Sequence, residues 1–421
     1  MAVKDQIVTS SPAREDKLRT LIDAFRLVSV SLDLTETLHY ILTALRVLIR
    51  YDAAGIYIFD PAKRTLKGYE LVGYEPGVTE TETRCVGKGI IGQVLESGEA
   101  FIVSDVDSDP NYLRARESTR SELAAPLLGT GGRVIGVINL ESDTRDHYAA
   151  EDLELLTLFA SLATISVEKA NLHRELLEKR RLESELRLAG QVMDALLPTA
   201  PADVRNFEIA GRTVSSTEVG GDYYDFIRVA DGRLGVVIAD VSGKGIPAAL
   251  IMASFRAYTH ALLGNDFSLR AVFKRLNHLL AESTEERHFV TAFYGELDDE
   301  GRRMFYLNAG HNPPLLLRRE EPARWLSTGG IPLGVQPGAG FSEDIIQLTR
   351  GDVLALYTDG VTEAENDAGE PYGLERLERL VRHNLAATAQ GICAAIVEDA
   401  KCYLGSHQRS DDMTVVVIKA K

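Results

Sequence analysis

The sequence predicts an α+β protein of two folded regions joined by a long helix. Three observations carry that expectation. Over residues 18–170, short apolar runs of strand character are flanked by runs at helical spacing. A glycine-poor helical tract then continues to about residue 196, and from residue 207 strands in hairpins surround a pair of amphipathic helices. The 421 residues suit two or three domains at roughly 100 to 200 residues each.

Taken in order, Leu18, Leu21, Ile22 and Phe25, then Leu38, Ile41, Leu42, Leu45 and Leu48, recur at helical spacing on either side of a break at 31–37, so two helices open the chain. Strands are expected at 53–59 and 65–72, turned by Asp60-Pro61, and again at 100–106. A short helix fits 91–97, behind Gly87, Gly89 and Gly92. A hairpin joins 122–128 to 134–140 across Gly129-Thr130-Gly131-Gly132, completing a small mixed sheet with helices on its flanks.

In the helical tract, Leu182, Leu186, Ala189, Met193 and Leu196 alternate steps of four and three, the a/d seam of a coiled coil, and a dimeric linker over 171–198 is the expectation; Pro198 and Pro201 end it. Strands follow at 207–214, 223–229 and 234–239, the last two joined by an Asp231-Gly232 turn, then helices at 250–263 and 269–281. Further strands fit 290–297, 303–309, 315–317, 353–357 and 414–418, with a helix at 391–404. That order predicts two sheets packed face to face with helices outside, an αββα sandwich over 200–421.

Charge excludes several function classes. Residues 1–200 carry 23 basic and 31 acidic side chains, and residues 201–421 carry the same numbers, so each half stands at −8 within a total of −16. A primary role in gripping nucleic acid or anionic membrane is disfavoured, since each phosphate contacted calls for a Lys or Arg. Cys85, Cys393 and Cys402 are scattered and odd in number, which gives neither a disulfide framework nor a zinc site and fits a reducing cytoplasm. No apolar run approaches the ~20 residues of a membrane span.

The informative residues are aspartates at the ends of apolar strands. Asp222 follows Gly220-Gly221, Asp240 ends Val236-Val237-Ile238-Ala239, Asp359 ends Leu354-Ala355-Leu356-Tyr357-Thr358, and Asp411-Asp412 precede Met413-Thr414-Val415. One such acid is a cap. Four at strand ends can converge on the rim of a sandwich, where their repulsion is relieved by a hard divalent cation, which prefers oxygen ligands.

The N-terminal motifs Val86-Gly87-Lys88-Gly89-Ile90-Ile91-Gly92, Ser104-Asp105-Val106 and Ala125-Pro126-Leu127, running into 134–140, resemble a GAF domain over about residues 18–170. The resemblance implies a sensory module that takes a small ligand. The Asn-Lys pair and Phe that mark the cyclic-nucleotide variety are missing: the chain reads Asn139-Leu140-Glu141, then Tyr148 and Glu151-Asp152, so the ligand stays open. Cys85 reads as a plain small residue rather than a chromophore anchor.

In the second half, Val219-Gly220-Gly221-Asp222-Tyr223-Tyr224-Asp225, Ala239-Asp240-Val241-Ser242-Gly243-Lys244-Gly245, Asn308-Ala309-Gly310-His311-Asn312-Pro313-Pro314, Tyr357-Thr358-Asp359-Gly360 and Asp411-Asp412-Met413-Thr414 closely resemble, in order, the motifs of the SpoIIE/RsbU class of metal-dependent PPM (type 2C) serine/threonine phosphatases. What the resemblance implies is a site of two Mn²⁺ or Mg²⁺ ions bridged by Asp240. Asp359 and Asp411 complete one ion's shell, the Val241 carbonyl serves the other, and Asp222 acts mostly through metal-bound water. Asp225 and Asp412 would support these ligands. The implied substrate is a phosphorylated STAS-domain protein of the anti-anti-sigma type. The chemistry agrees, because a phosphoserine dianion needs positive charge and an activated water, and metal ions supply both.

His311 reads as a turn residue buttressing a strand end, and Arg212 and Lys244 are candidates for contact with substrate phosphate or for solvated surface charge. The loop at Gly243 and Gly245 lacks P-loop spacing. Two rival functions are a catalytically silent pseudophosphatase acting as a scaffold, disfavoured because every expected acid is present, and a two-metal nuclease, disfavoured by charge.

Overall fold

The computed structural model describes residues 12–75, 84–85, 88–198, 204–229, 233–263, 268–284, 288–405 and 411–421. The chain divides into two units, residues 1–180 and 181–421, with the division inside one long helix.

The N-terminal unit opens with α1 (Pro12–Val30) and α2 (Leu34–Leu48), separated where Asp33 caps α2 by accepting from the Glu36 N–H at 2.9 Å. Strands β1 (Ala53–Asp60), β2 (Thr65–Val72) and β3 (Arg84–Cys85) lead into α3 (Gly89–Ser97), and β4 (Phe101–Val103), β5 (Ser121–Leu128) and β6 (Val134–Ser142) precede α4 (Ala150–Asp194). The sheet order is β3-β2-β1-β6-β5-β4. Every pairing in it is antiparallel, which corrects the expected mixed sheet: β1-β2 and β5-β6 are hairpins, and β1 meets β6 antiparallel at the centre. The strand expected at 100–106 is shorter, because Asp105 starts a turn of 3₁₀ helix at Val106–Ser108. One sheet face, with Ile56, Leu123, Ile138 and Leu140, packs on α1, α2 and α4. The other, with Tyr57, Ala124 and Val137, packs on Ile90, Ile91 and Val94 of α3. Val86, Gly87, Pro201 and the Asp231-Gly232 turn lie outside the described residues.

The C-terminal unit continues with β7 (Phe207–Val214), β8 (Tyr223–Arg228), β9 (Leu234–Val241), α5 (Ile246–Leu263), α6 (Leu269–Ser283), β10 (Val290–Asp298), β11 (Arg303–Ala309), β12 (Leu315–Leu317), β13 (Arg324–Trp325), β14 (Gly329–Gly330), β15 (Asp344–Gln347) and β16 (Val353–Tyr357). It closes with α7 (Asp359–Thr362), α8 (Leu374–His383), α9 (Ala389–Leu404) and β17 (Met413–Ala420). One sheet runs β14-β11-β10-β9-β8 with β15 also on β11, and the other runs β13-β12-β16-β17-β7. Val236, Ile238, Phe293, Leu356, Val416 and Ile418 fill the space between the sheets. Helices α5 and α6 cover the first sheet and α8 and α9 the second, so the expected αββα sandwich is present.

Three details differ from expectation. Strand β7 is not a hairpin partner of β8 but pairs along its whole length with β17, at the far end of the chain. Helix α8, strands β13 to β15 and the single turn α7 had no expectation attached. Along α4, the seam residues Leu186, Ala189, Met193 and Leu196 are partly buried, and Met193 joins Leu197 on the core of the C-terminal unit; Leu182 stays 61% exposed. The lower part of the expected dimer seam is thus used by the helix's own unit. Helix α5 is apolar and long enough to cross a membrane by composition, but its Ala248, Met252, Phe255 and Leu263 lie in the core beneath it.

Candidate metal centre

The antiparallel registers decide where the strand-end aspartates go. Tyr223 sits opposite Ala239, so the start of β8 and the end of β9 share one edge, which brings Asp222 beside Asp240. In the second sheet Tyr357 sits opposite Val415, which brings the start of α7, with Asp359, beside Asp411 and Asp412. The two pairs face each other across the sandwich. A buried hydroxyl joins them: Thr358 Oγ1 donates to Asp222 Oδ2 at 2.7 Å and accepts the Thr414 N–H at 2.9 Å. Sequence reasoning treated Thr358 only as the end of a strand, and its position next to Asp359 was the available signal.

Electrostatics gives the cluster its character. Burial, reinforced by the charge of Asp240, pushes the Asp222 carboxyl well above the usual range. Asp240 is pushed up to about 7 by burial and then by Asp359, Asp411 and Asp412, with a hydrogen bond to Asp222 acting the other way. Burial and Asp411 also raise Asp359, against which the Gly360 N–H and Lys244 pull. Among the described residues no group of three or more His, Cys, Asp or Glu side chains stands, as arranged here, where it could hold a metal ion. The acids instead share hydrogen bonds, and Asp411 meets the Lys244 ammonium at 3.1 Å.

Asp412 holds the loop that carries Asp222. Its Oδ1 accepts from the Ser216 N–H at 2.7 Å and the Ser216 hydroxyl at 3.0 Å, and its Oδ2 accepts from the Gly221 N–H at 3.0 Å. A Cβ on Gly220 would stand 2.3 Å from Asp412 Oδ2, so only glycine admits this clamp. The Val241 carbonyl lies at the same place, 3.1 Å from where a Cβ on Gly221 would be. A cleft lined by Ser216, Thr217, Asp240, Lys244, Asp411 and Asp412 opens here.

Three sequence candidates lie elsewhere or play other parts. Asp225, expected beside the ligands, belongs to a network under α5, where it accepts from Tyr223 and His260 at 2.7 Å each, with Arg256 at 3.6 Å. The side-chain alternation of β8 turns it away from Asp222. Arg212 pairs with Glu398 of α9 at 3.3 Å rather than approaching the cleft. His311 is 4% exposed, its Nδ1 is 2.9 Å from the Thr291 hydroxyl, and its backbone exchanges hydrogen bonds with the Asn308 side chain; burial lowers its pKa to about 4, so it is a neutral buttress.

The donors fit a hard divalent cation: they are oxygens, they carry like charges that repel when buried, and a backbone carbonyl stands among them. The family "Stage II sporulation protein E (SpoIIE)" matches residues 230–421, and "GAF domain" matches residues 31–168. The chain carries a SpoIIE-type phosphatase domain behind a GAF domain.

Among relatives, phosphoserine phosphatase RsbU of Bacillus subtilis is 29% identical over 246 residues, covering 58% of this chain and 72% of RsbU. Phosphoserine phosphatase RsbP of the same organism is 28% identical over 247 residues, covering 58% of this chain and 59% of RsbP. Protein IcfG of Synechocystis is 27% identical over 261 residues, 56% of this chain and 41% of that protein. The matches thus span less than two thirds of RsbP and IcfG. The solved SiaA-PP2C domain of Pseudomonas aeruginosa shares the fold of the SpoIIE-type unit, with a TM-score of 0.51 at 19% identity over 58% of this chain and 99% of that domain.

Proposed function

We propose that this protein is a metal-dependent protein serine/threonine phosphatase whose GAF unit regulates the SpoIIE-type unit. The observation that carries the reading is the convergence of Asp222, Asp240, Asp359 and Asp411 from the ends of four strands in two sheets, with raised carboxyl pKa values for Asp222, Asp240 and Asp359. Asp222, Asp240, Asp359, Asp411 and the Val241 carbonyl would hold two Mn²⁺ or Mg²⁺ ions. Bound there, such ions supply positive charge for a phosphate dianion and lower the pKa of a coordinated water.

The chain's own residues do the rest. Thr358 and Asp412 fix the Asp222 loop against the second sheet. Lys244, beside Asp411 at the mouth of the cleft, is placed to meet a substrate phosphate once the acids are engaged. The substrate we assign is a phosphoserine or phosphothreonine on a STAS-domain protein, in keeping with the motifs and with relatives named phosphoserine phosphatases. Signal would pass from the GAF unit through α4 to α5 and α6, in a homodimer joined along α4 near Leu182.

The test is release of phosphate from a serine-phosphorylated STAS-domain protein as Mn²⁺ is titrated. We expect activity that saturates with metal and disappears in Asp240→Asn. Metal-independent turnover, or wild-type rates in Asp240→Asn and Asp359→Asn, would sink the assignment. Divalent binding without turnover would support the scaffold reading instead.

A further inference from the structure

The turn after β11 buries an imidazole. His311 is 4% exposed, and its Nε2 is buried without a hydrogen-bond partner. An apolar side chain of similar size would fill this space without leaving a polar atom unmet, so the ring calls for an explanation beyond packing.

Its other nitrogen supplies one. Nδ1 lies 2.9 Å from the Thr291 hydroxyl, and that hydroxyl lies 3.4 Å from the Asp240 carbonyl oxygen. Nδ1 and the hydroxyl share one hydrogen in either tautomer of the ring. Thr291 is the residue of β10 directly opposite Asp240, and Val290 is opposite Val241. The peptide between Asp240 and Val241 joins two of the proposed ligands, the bridging carboxylate and the carbonyl. A group that fixes this peptide therefore fixes both.

The ring is held in turn. Asn308 accepts the His311 N–H at 2.7 Å, and its amide nitrogen donates to the His311 carbonyl at 2.9 Å and to the Leu326 carbonyl at 3.2 Å. Gly310, just before it, has φ 68°, and a Cβ there would stand 2.5 Å from the Pro332 ring, so the turn admits only glycine. From the second sheet, the Tyr357 carbonyl acts against burial in setting the ring's pKa, and Tyr357 ends β16 two residues before Asp359. His311 thus stands between the strand end that carries Asp240 and the one that leads to Asp359.

We infer that His311 is a positioning residue of the metal centre: through the Thr291 hydroxyl it sets where the end of β9 presents the Asp240 carboxylate and the Val241 carbonyl, against the end of β16. Groups one step out from a metal's ligands orient those ligands, and losing one typically costs about 10–100-fold in metal affinity. The inference rests on the metal-dependent reading above and adds to it a residue that acts through another.

The experiment is calorimetric titration of the metal-free full chain with Mn²⁺, well below its thermal midpoint, for wild type, Thr291→Val, Thr291→Ser, His311→Gln and the double variant Thr291→Val/His311→Gln. We expect Thr291→Val and His311→Gln each to weaken Mn²⁺ binding at least about tenfold, and Thr291→Ser, which keeps the hydroxyl, to restore most of it. The double variant should bind no worse than the weaker single one, because ring and hydroxyl act as one unit. A side chain that only supported the fold would lower the thermal midpoint and leave the Mn²⁺ affinity of the folded protein where it was. Should either Thr291→Val or His311→Gln not fold, the other carries the same expectation. Wild-type Mn²⁺ affinity in the folded variants, a Thr291→Ser as weak as Thr291→Val, or additive losses in the double variant would overturn the inference. Absence of Mn²⁺ binding in the wild type would instead remove the metal-dependent reading, and the inference with it.

Discussion

At the scale of single residues, the same carboxylates that recommend a metal site also oppose folding. Removing one buried charge from a repelling set relieves strain, so Asp240→Asn is expected to raise the thermal midpoint of the metal-free protein while lowering Mn²⁺-dependent turnover by at least about a hundredfold, the scale seen when one electrostatic contributor to a site is lost. Scanning calorimetry with chelator, set beside a phosphate-release assay, checks both signs. A variant that lost stability and activity together would point to a structural role instead.

Thr358 makes the converse case. Its hydroxyl is fully buried and serves Asp222 and Thr414 together, so Thr358→Val is expected to cost about 1–3 kcal/mol in a urea titration and to shift the Mn²⁺ requirement upward. His311 gives a pH signature. Its folded pKa of about 4 lies below the unfolded value near 6.5, so between those values the unfolded state binds the extra proton. Stability contributed by a neutral His311 is therefore present above pH 6.5 and lost as pH falls towards 4. In His311→Gln that loss, at most about 3 kcal/mol, should vanish, which paired urea melts at several pH values would show.

Among the elements, the end of α4 decides most. Arg256 of α5 donates to the Leu196 carbonyl at 3.0 Å and stands 3.6 Å from Asp225, on the strand that begins one residue after Asp222. The turn that follows the long helix is thereby tied to the sheet edge that carries the candidate ligands. Arg256→Ala should loosen this tie, costing about 1–2 kcal/mol in the C-terminal unit and changing how activity responds to the rest of the chain. Sedimentation separates the two ends of the helix: in the homodimer proposed above, Leu182→Asp is expected to give a folded monomer, while Met193→Asp should destabilise the C-terminal unit itself.

The heptad spacing was legible from Leu182 to Leu196 because helical periodicity is a local property. Which neighbour buries that stripe is not local, and here its lower part meets the protein's own core. Helix α8 was missed for a related reason. Only Leu377 and Val381 are buried on it, between many charges, so its sequence gives a narrow apolar stripe that a solvated turn could equally show.

For the whole molecule, the even acidity takes on a different meaning in each half. Two divalent ions would bring the formal −16 to about −12, concentrated where β8, β9, α7 and β17 meet. In the N-terminal half part of the acidity is not surface at all but the buried pair Glu122 and Glu141. The division of the chain inside α4 also predicts truncation behaviour. A fragment of residues 181–421 keeps Met193, Leu197 and the Arg256 tie, and is expected to melt at a higher temperature than residues 204–421, which lacks them.

By itself the sequence determined the two folded regions, most strand positions, the sandwich with helices outside, and the aspartates at strand ends. These follow from periodicity and from residues adjacent in the chain. Only the tertiary structure decided that β7 closes against β17, that Thr358 and Asp412 join the two sheets at the candidate centre, and that Asp225 and Arg212 lie outside it. The physical reason is the same in each case. Strand register and side-chain alternation are set by partners far apart in the sequence, and a one-residue step turns a carboxylate from the cleft to the opposite face of its sheet.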